Sequence, residues 1–138
     1  MRRKGDSLMK SSFWLRAGAI SGFLAVALGA FGAHGLRARL EALGTAATYQ
    51  TAVHYHLAHA LALLVVALLP ARGKARGVAG VAFLVGTVLF SGSLYVLAVS
   101  GQKWLGAITP FGGVGFLTGW VALAFTGKEQ ETGVSTTS

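Results

Sequence analysis

Four long stretches of the sequence contain no charged residue, and this feature constrains the fold more than any other. The uncharged stretches cover residues 17–36, 42–71, 77–102 and 104–127. Each is at least 20 residues long, and a helix needs about 20 predominantly apolar residues to cross the hydrocarbon core of a bilayer. Only 12% of the 138 residues are charged, against about 25% in a typical soluble domain. The sequence therefore predicts an all-α integral membrane bundle of four transmembrane helices.

Glycine, proline and polar residues set the expected limits of these helices. The predicted transmembrane domain, residues 13–126, contains spans at about 13–33, 45–69, 77–99 and 104–125. A basic N-terminus covers residues 1–12, and the polar residues 127–138 are predicted to form a disordered tail. Between the first two spans, Leu36, Leu40 and Leu43 recur at helical spacing. That spacing predicts a short amphipathic helix at the membrane interface.

The basic residues indicate how the bundle is oriented. With four spans, both termini and the loop after Pro70 face the same side of the membrane. That side carries nine Lys or Arg residues, whereas the other side carries only Arg37, Arg39 and Lys103. The positive-inside rule therefore predicts that both termini are cytoplasmic, in a bacterial plasma (inner) membrane. Anionic lipid headgroups are the expected partners of the basic segments, and nucleic acid is not an expected partner.

The apolar run that follows the basic N-terminus also permits a second interpretation. A positively charged start, an apolar run and the small residues of AFG (30–32) together resemble a secretory signal peptide. The apolar run extends over residues 17–33, longer than the roughly 7–15 residues usual in a signal peptide. A first transmembrane helix is therefore the favoured interpretation.

Small residues recur at packing distances in the first and fourth spans. Helices in lipid associate largely by van der Waals packing, so small residues at an interface allow the two backbones to approach closely. Proline near the outer end of the fourth span also predicts a kink or a late helical start. The residues expected to set packing or bending are Gly18, Gly22, Gly29, Pro110, Gly112, Gly113, Gly115 and Gly119.

Three of the four histidines lie within VHYHLAH, residues 53–59. At about 100° per residue, His54 and His56 point to nearly opposite faces of a helix and cannot bind one ion together. His56 and His59 share a face. The functional interpretations are a metal ion held by His34, His56 and His59, or a haem ligated by His34 and His59. The favoured alternative is a structural His59 that bonds across helices to Tyr95, Ser91 or a backbone carbonyl.

Hydroxyl groups in the third span complete the set of polar residues inside the predicted membrane. A serine nucleophile needs an adjacent base and an orienting group, and the chain's four acidic residues leave no acid to complete such a set. We therefore assign no catalytic residue and predict that the chain is not an enzyme. The absence of cysteine excludes disulfides and thiolate ligands. The candidate polar intramembrane cluster comprises His34, Tyr55, His59, Ser91, Ser93 and Tyr95.

Four motifs, in order along the chain, resemble one known family. They are ISGFLAVALGAFGAHGL (20–36), YHLAHALALL (55–64), GTVLFSGSLYVLA (86–98) and ITPFGGVGFLTGW (108–120). The set resembles the transmembrane-protein-256/domain-of-unknown-function-423 family over residues 20–125. The resemblance implies a small multi-pass membrane protein and supplies no established activity. His54 and His56 lie outside the family pattern, so the resemblance favours the pair His34 and His59 over the three-histidine set.

Three functions are consistent with these features. A structural, interaction or accessory subunit of a membrane complex is favoured, because the helix faces are rich in small residues and no catalytic set is complete. A small-solute transporter or channel acting as a homo-oligomer is the alternative, suggested by His59, Ser91 and Tyr95 beside the interrupted TPFGG segment. A metal or haem protein is the third. The favoured function requires no cofactor.

Overall fold

In the computed structural model, which describes residues 2–70 and 74–134, the chain forms five α-helices and one 3₁₀ helix, with no strand among these residues. The helices are α1 (Arg2–His34), α2 (Arg37–Leu43), α3 (Ala46–Leu68), α4 (Ala75–Ser100) and α5 (Thr109–Val134), and the 3₁₀ helix (Lys103–Ala107) precedes α5. Within this described part, four segments are long and apolar enough to cross a membrane: Ser11–His34, Ala46–Leu68, Ala75–Ser100 and Lys103–Gly127. The predicted all-α class with four spans is confirmed.

The structure differs from the predicted boundaries at both ends of the bundle. Helix α1 begins at Arg2, within the predicted basic N-terminus. Helix α5 continues to Val134, in place of the disordered tail predicted from residue 127, while residues 135–138 lie outside the described part. Lys, Glu and Gln are good helix formers, and extending an existing helix avoids the cost of nucleation. The segment KEQE therefore continues the helix despite its polar composition.

The short helix predicted between the first two spans is present as α2. It ends at Leu43 and is capped by Gly44, whose φ of 65° is the left-handed conformation that glycine adopts without a steric penalty. Leu40 is buried and packs with Tyr49 and Ala98. The position of α2 at a membrane interface stays a prediction.

Within the fourth span the α-helix begins late, at Thr109, which is one of the two outcomes that Pro110 predicted. The 3₁₀ helix ends at Ala107, and Pro110 lies in the first turn of α5. A backbone N–H in the first turn has no intrahelical partner, so proline is tolerated there.

The helices pack in the order α1, α3, α4, α5. Helix α1 packs mainly on α3, and α5 packs mainly on α4, with α3 and α4 in contact between them. Gly18, Gly22 and Gly29 of α1 face Leu64, Ala60 and Val53 of α3, so the two helices run antiparallel in close contact. The α4–α5 interface is also close, because Gly115 lies against Gly86.

Candidate functional site

Helix α3 presents two buried histidines to different neighbours. His54 is exposed, whereas His56 and His59 are 7% and 4% exposed. His56 faces α1 and α4, and His59 faces α4 and α5. The two residues are 60° apart around the helix axis, and this difference is enough to place them in separate clusters.

His59 is held by two hydrogen bonds that define its tautomer. Its Nδ1 lies 2.7 Å from the backbone oxygen of Tyr55. A carbonyl oxygen only accepts, so Nδ1 carries the hydrogen. The Nε2 lone pair then accepts the indole N–H of Trp120, at 3.2 Å. The ring also stacks on Phe116, with centroids 3.4 Å apart. His59 therefore has no free lone pair for a metal ion or a haem iron in this arrangement.

The structure separates His34 from His59. Helices α1 and α3 are antiparallel, and Gly22 faces Ala60. His59 is therefore almost level with Gly22, whereas the exposed His34 lies at the far end of α1, roughly 17 Å along the axis at 1.5 Å per residue. Within the described residues, no group of three or more His, Cys, Asp or Glu side chains is placed to hold a metal ion. One chain thus assembles neither the three-histidine set nor the haem pair that the sequence suggested.

His56, which the family resemblance set aside, belongs to a hydrogen-bonded trio. Its Nδ1 lies 3.2 Å from the Tyr95 hydroxyl, and its Nε2 lies 3.1 Å from the Ser21 hydroxyl. The trio joins α1, α3 and α4 inside the bundle. Sequence reasoning missed Ser21, although its position next to Gly22 on the small-residue face of α1 indicates that it lies near α3.

The other members of the predicted polar cluster are distributed among separate contacts. Ser91 donates to the backbone oxygen of Ala52, at 2.9 Å. Ser93 lies 2.8 Å from the Thr109 hydroxyl, which links α4 to the start of α5. The half-exposed Tyr55 contacts Phe90 through its ring, with centroids 4.5 Å apart. The predicted cluster is therefore not one site: Tyr95 pairs with His56, His59 pairs with Trp120, and His34 is exposed.

A lateral groove lies above His56, between α1 and α4. Its volume is about 370 Å³. Apolar side chains form most of the walls, including Ile20, Leu24 and Val88, and the His56 trio supplies polar atoms to the lining. Such a combination of apolar walls and a few polar groups is typical of small-molecule sites.

Arg76 is a second buried polar feature, and sequence reasoning had counted it only as an orientation charge. It is 3% exposed, and its Nε donates to the backbone oxygen of Val66, at 2.8 Å. Its Nη2 lies 3.4 Å from the oxygen of Ala67 and 3.0 Å from the hydroxyl of Ser11. The last carbonyls of a helix lack intrahelical partners and carry partial negative charge. Arg76 therefore caps α3 and joins it to α1 and α4.

The sequence is similar to that of known membrane proteins. Residues 28–113 match the family described as a protein of unknown function (DUF423). The chain belongs to the DUF423 family. The UPF0382 membrane protein YwdK of Bacillus subtilis is 48% identical over 109 residues, which are 77% of this chain and 88% of YwdK. The UPF0382 inner membrane protein YgdD of Escherichia coli K12 is 44% identical over 117 residues, 83% of this chain and 88% of YgdD.

Relatives of this DUF423 protein also occur in a eukaryote. A UPF0382 membrane protein of Schizosaccharomyces pombe is 39% identical over 110 residues, 76% of this chain and 92% of the relative. No solved structure gives a significant match. The relatives are named as membrane proteins, which agrees with the four spans. The family resemblance is confirmed, and the chain is a multi-pass membrane protein.

Proposed function

We propose that this DUF423 protein is a structural or accessory subunit of a membrane protein complex. One observation carries the proposal: several polar side chains inside the bundle bond side chains or backbone carbonyls of neighbouring helices. Trp120 bonds His59 between α5 and α3, Ser91 bonds α3, and Arg76 caps α3. These bonds fix the four spans as one unit, which suits a protein that presents a constant outer surface to a partner.

The transporter alternative has less support than the accessory role. It requires polar groups that follow one line through the membrane. Tyr95 instead bonds His56 on the side of α1, whereas His59 bonds Trp120 on the side of α5. The polar residues proposed for transport thus lie in separate clusters that hold helices together.

The proposal includes no catalytic residue and no cofactor. His59 uses both ring nitrogens in hydrogen bonds, and the Ser91 hydroxyl donates its hydrogen to a backbone carbonyl. A nucleophilic serine needs a base that accepts this hydrogen. The arrangement therefore favours a structural role for both residues.

The proposed orientation places both termini in the cytoplasm of a bacterial inner membrane. The nine basic residues on the side of the termini support it. We also propose that anionic lipid headgroups bind these basic segments, because such segments are attracted to negatively charged membrane surfaces.

Photo-crosslinking in living cells tests the accessory role. A photoreactive amino acid is placed at one exposed position on each of three helices: Phe23 on α1, Val88 on α4 and Leu117 on α5. We expect the same partner polypeptide from one face in repeated experiments, and lipid adducts alone from the other faces. Lipid adducts or adducts between copies of this chain from all three positions would contradict the proposal.

A further inference from the structure

The His56 trio contains one more hydrogen than its internal bonds use. A neutral histidine has one N–H, and each hydroxyl has one O–H, so the trio has three donor hydrogens in all. The bonds from His56 to Tyr95 and to Ser21 use one hydrogen each. If Nδ1 donates to Tyr95, the Tyr95 hydrogen is left over. If Nε2 donates to Ser21, the Ser21 hydrogen is left over.

Within the described part of the chain, this remaining hydrogen forms no hydrogen bond. Among the described residues, neither hydroxyl has a hydrogen-bond partner other than His56. The oxygens of Thr87 and Ser91 donate their own hydrogens to Phe83 and Ala52 and keep lone pairs that could accept. In the part of the chain that the structure describes, neither oxygen is hydrogen-bonded to Ser21 or Tyr95. Ser21 and Tyr95 both line the groove, so the surplus donor is available to an acceptor that occupies it.

Because the trio lies deep in the membrane, an unused hydrogen-bond donor there is unfavourable in free energy. His56 lies near the middle of α3, about 15 Å along the axis from Ala46. The hydrocarbon core is about 30 Å thick, so the trio lies close to its centre. An unsatisfied polar group at that depth is strongly destabilising because no water reaches it.

We propose that the groove binds a hydrocarbon-soluble carbonyl compound, whose carbonyl oxygen accepts the surplus hydrogen of the His56 trio. A carbonyl oxygen accepts without donating, which matches a site with one extra donor. The groove volume of about 370 Å³ is more than twice that of the roughly 150 Å³ cavity that accommodates benzene. It therefore has room for a ring or a bent chain that carries the carbonyl group.

The depth also restricts the source of the carbonyl group. The ester groups of phospholipids lie at the edge of the hydrocarbon core, about 15 Å from its centre. The molecule must instead enter the core itself, as a quinone with an alkyl tail or a neutral fatty ester does. This inference goes beyond the accessory role and does not depend on it.

Binding to the purified full-length protein in detergent tests the proposal. The probes are a decyl-substituted benzoquinone, methyl oleate and decylbenzene, which lacks a carbonyl group, and native mass spectrometry measures each bound fraction. We expect at least one carbonyl probe to bind with a stoichiometry of one molecule per chain. Its affinity should be at least tenfold higher than that of decylbenzene. The probe that binds identifies the source. Equal binding of all three probes, or binding of none, would overturn the proposal.

Two glycines of α4 provide a matched pair of variants. A Cβ added at Gly92, which lines the groove, or at Gly77, which does not, meets no atom within 4 Å. We expect Gly92→Leu to weaken carbonyl binding at least tenfold and Gly77→Leu to leave it unchanged. Ile20→Trp on the exposed opposite wall is a second blocking variant. Unchanged binding in both blocking variants would show that the carbonyl compound does not bind in this groove.

Discussion

His59 illustrates how a titratable side chain inside a membrane bundle serves as a connector. Its ring donates within α3 to the Tyr55 carbonyl and accepts from Trp120 on α5. Stacking on Phe116 adds a further contact to the same helix. Because all of its polar atoms are engaged, His59 contributes to the stability of the α3–α5 contact.

Replacement of Trp120 by Phe tests this role. The variant keeps an aromatic ring against Phe83 and removes the indole donor, so the Nε2 atom of His59 loses its partner. We expect the free energy of unfolding in mixed micelles to fall by about 0.6–1.7 kcal/mol, from the average to the maximum measured for hydrogen bonds between membrane helices.

Trp104→Phe is the matched control, because Trp104 is 64% exposed and donates only to Gln102 in its own segment. It is expected to change the unfolding free energy by less than about 0.5 kcal/mol. Equal losses in the two variants would show that the bond to His59 contributes nothing specific.

At the scale of the helices, the α4–α5 interface depends on the absence of a side chain at one position. Gly112 of α5 packs directly on the backbone of Phe90 in α4, and a Cβ added there would overlap the Phe90 backbone nitrogen. Gly113, the next residue, is different: its added Cβ would lie 3.9 Å from the Phe90 ring. The close approach of α4 and α5 is therefore specified by one glycine of the pair.

We expect Gly112→Ala to lower the free energy of unfolding by about 1–3 kcal/mol, the usual cost of overpacking. Gly113→Ala is expected to be neutral or slightly stabilising, because alanine favours a helix over glycine by about 1 kcal/mol. Thermal unfolding of both variants in the same detergent measures the difference. A Gly112→Ala variant as stable as Gly113→Ala would contradict the described α4–α5 contact.

Arg76 connects three helices at the other end of the bundle, so its loss should separate them. We expect Arg76→Met to lower the unfolding free energy by about 1.5–3 kcal/mol, since hydrogen bonds to charged groups contribute that much. Lys74→Met removes an exposed charge nearby and serves as the control. If both variants unfold at the same temperature as the unsubstituted chain, the cap on α3 has no energetic role.

The sequence predicts helices more reliably than it predicts the contacts between them. Uncharged stretches identify the four spans because the bilayer excludes charge, and helical periodicity correctly places His54 opposite His56. The bond from His56 to Ser21 joins residues 35 positions apart, and it exists because α1 and α3 meet in one particular register. No local pattern contains that register. For the same reason, the sequence pointed to a single polar cluster where the structure has separate pairs.

At the scale of the whole molecule, the orientation in the membrane is open to a direct test. The chain has no cysteine, so a thiol reagent can label only the cysteine that is introduced into it. We expect a membrane-impermeant thiol reagent to label Glu41→Cys in intact cells, and to label Ser7→Cys and Lys74→Cys only after permeabilisation. The opposite pattern would invert the orientation that the positive-inside rule predicts.

The central claim is that this four-helix bundle works as a subunit of a larger membrane assembly. The most direct measurement is the mass of the native particle, extracted in membrane nanodiscs without detergent and measured by native mass spectrometry. We expect a particle that contains at least one other polypeptide beside this 14.2 kDa chain, in a fixed ratio. A particle that contains this chain alone, as a monomer or as whole-number multiples of it, would contradict the claim.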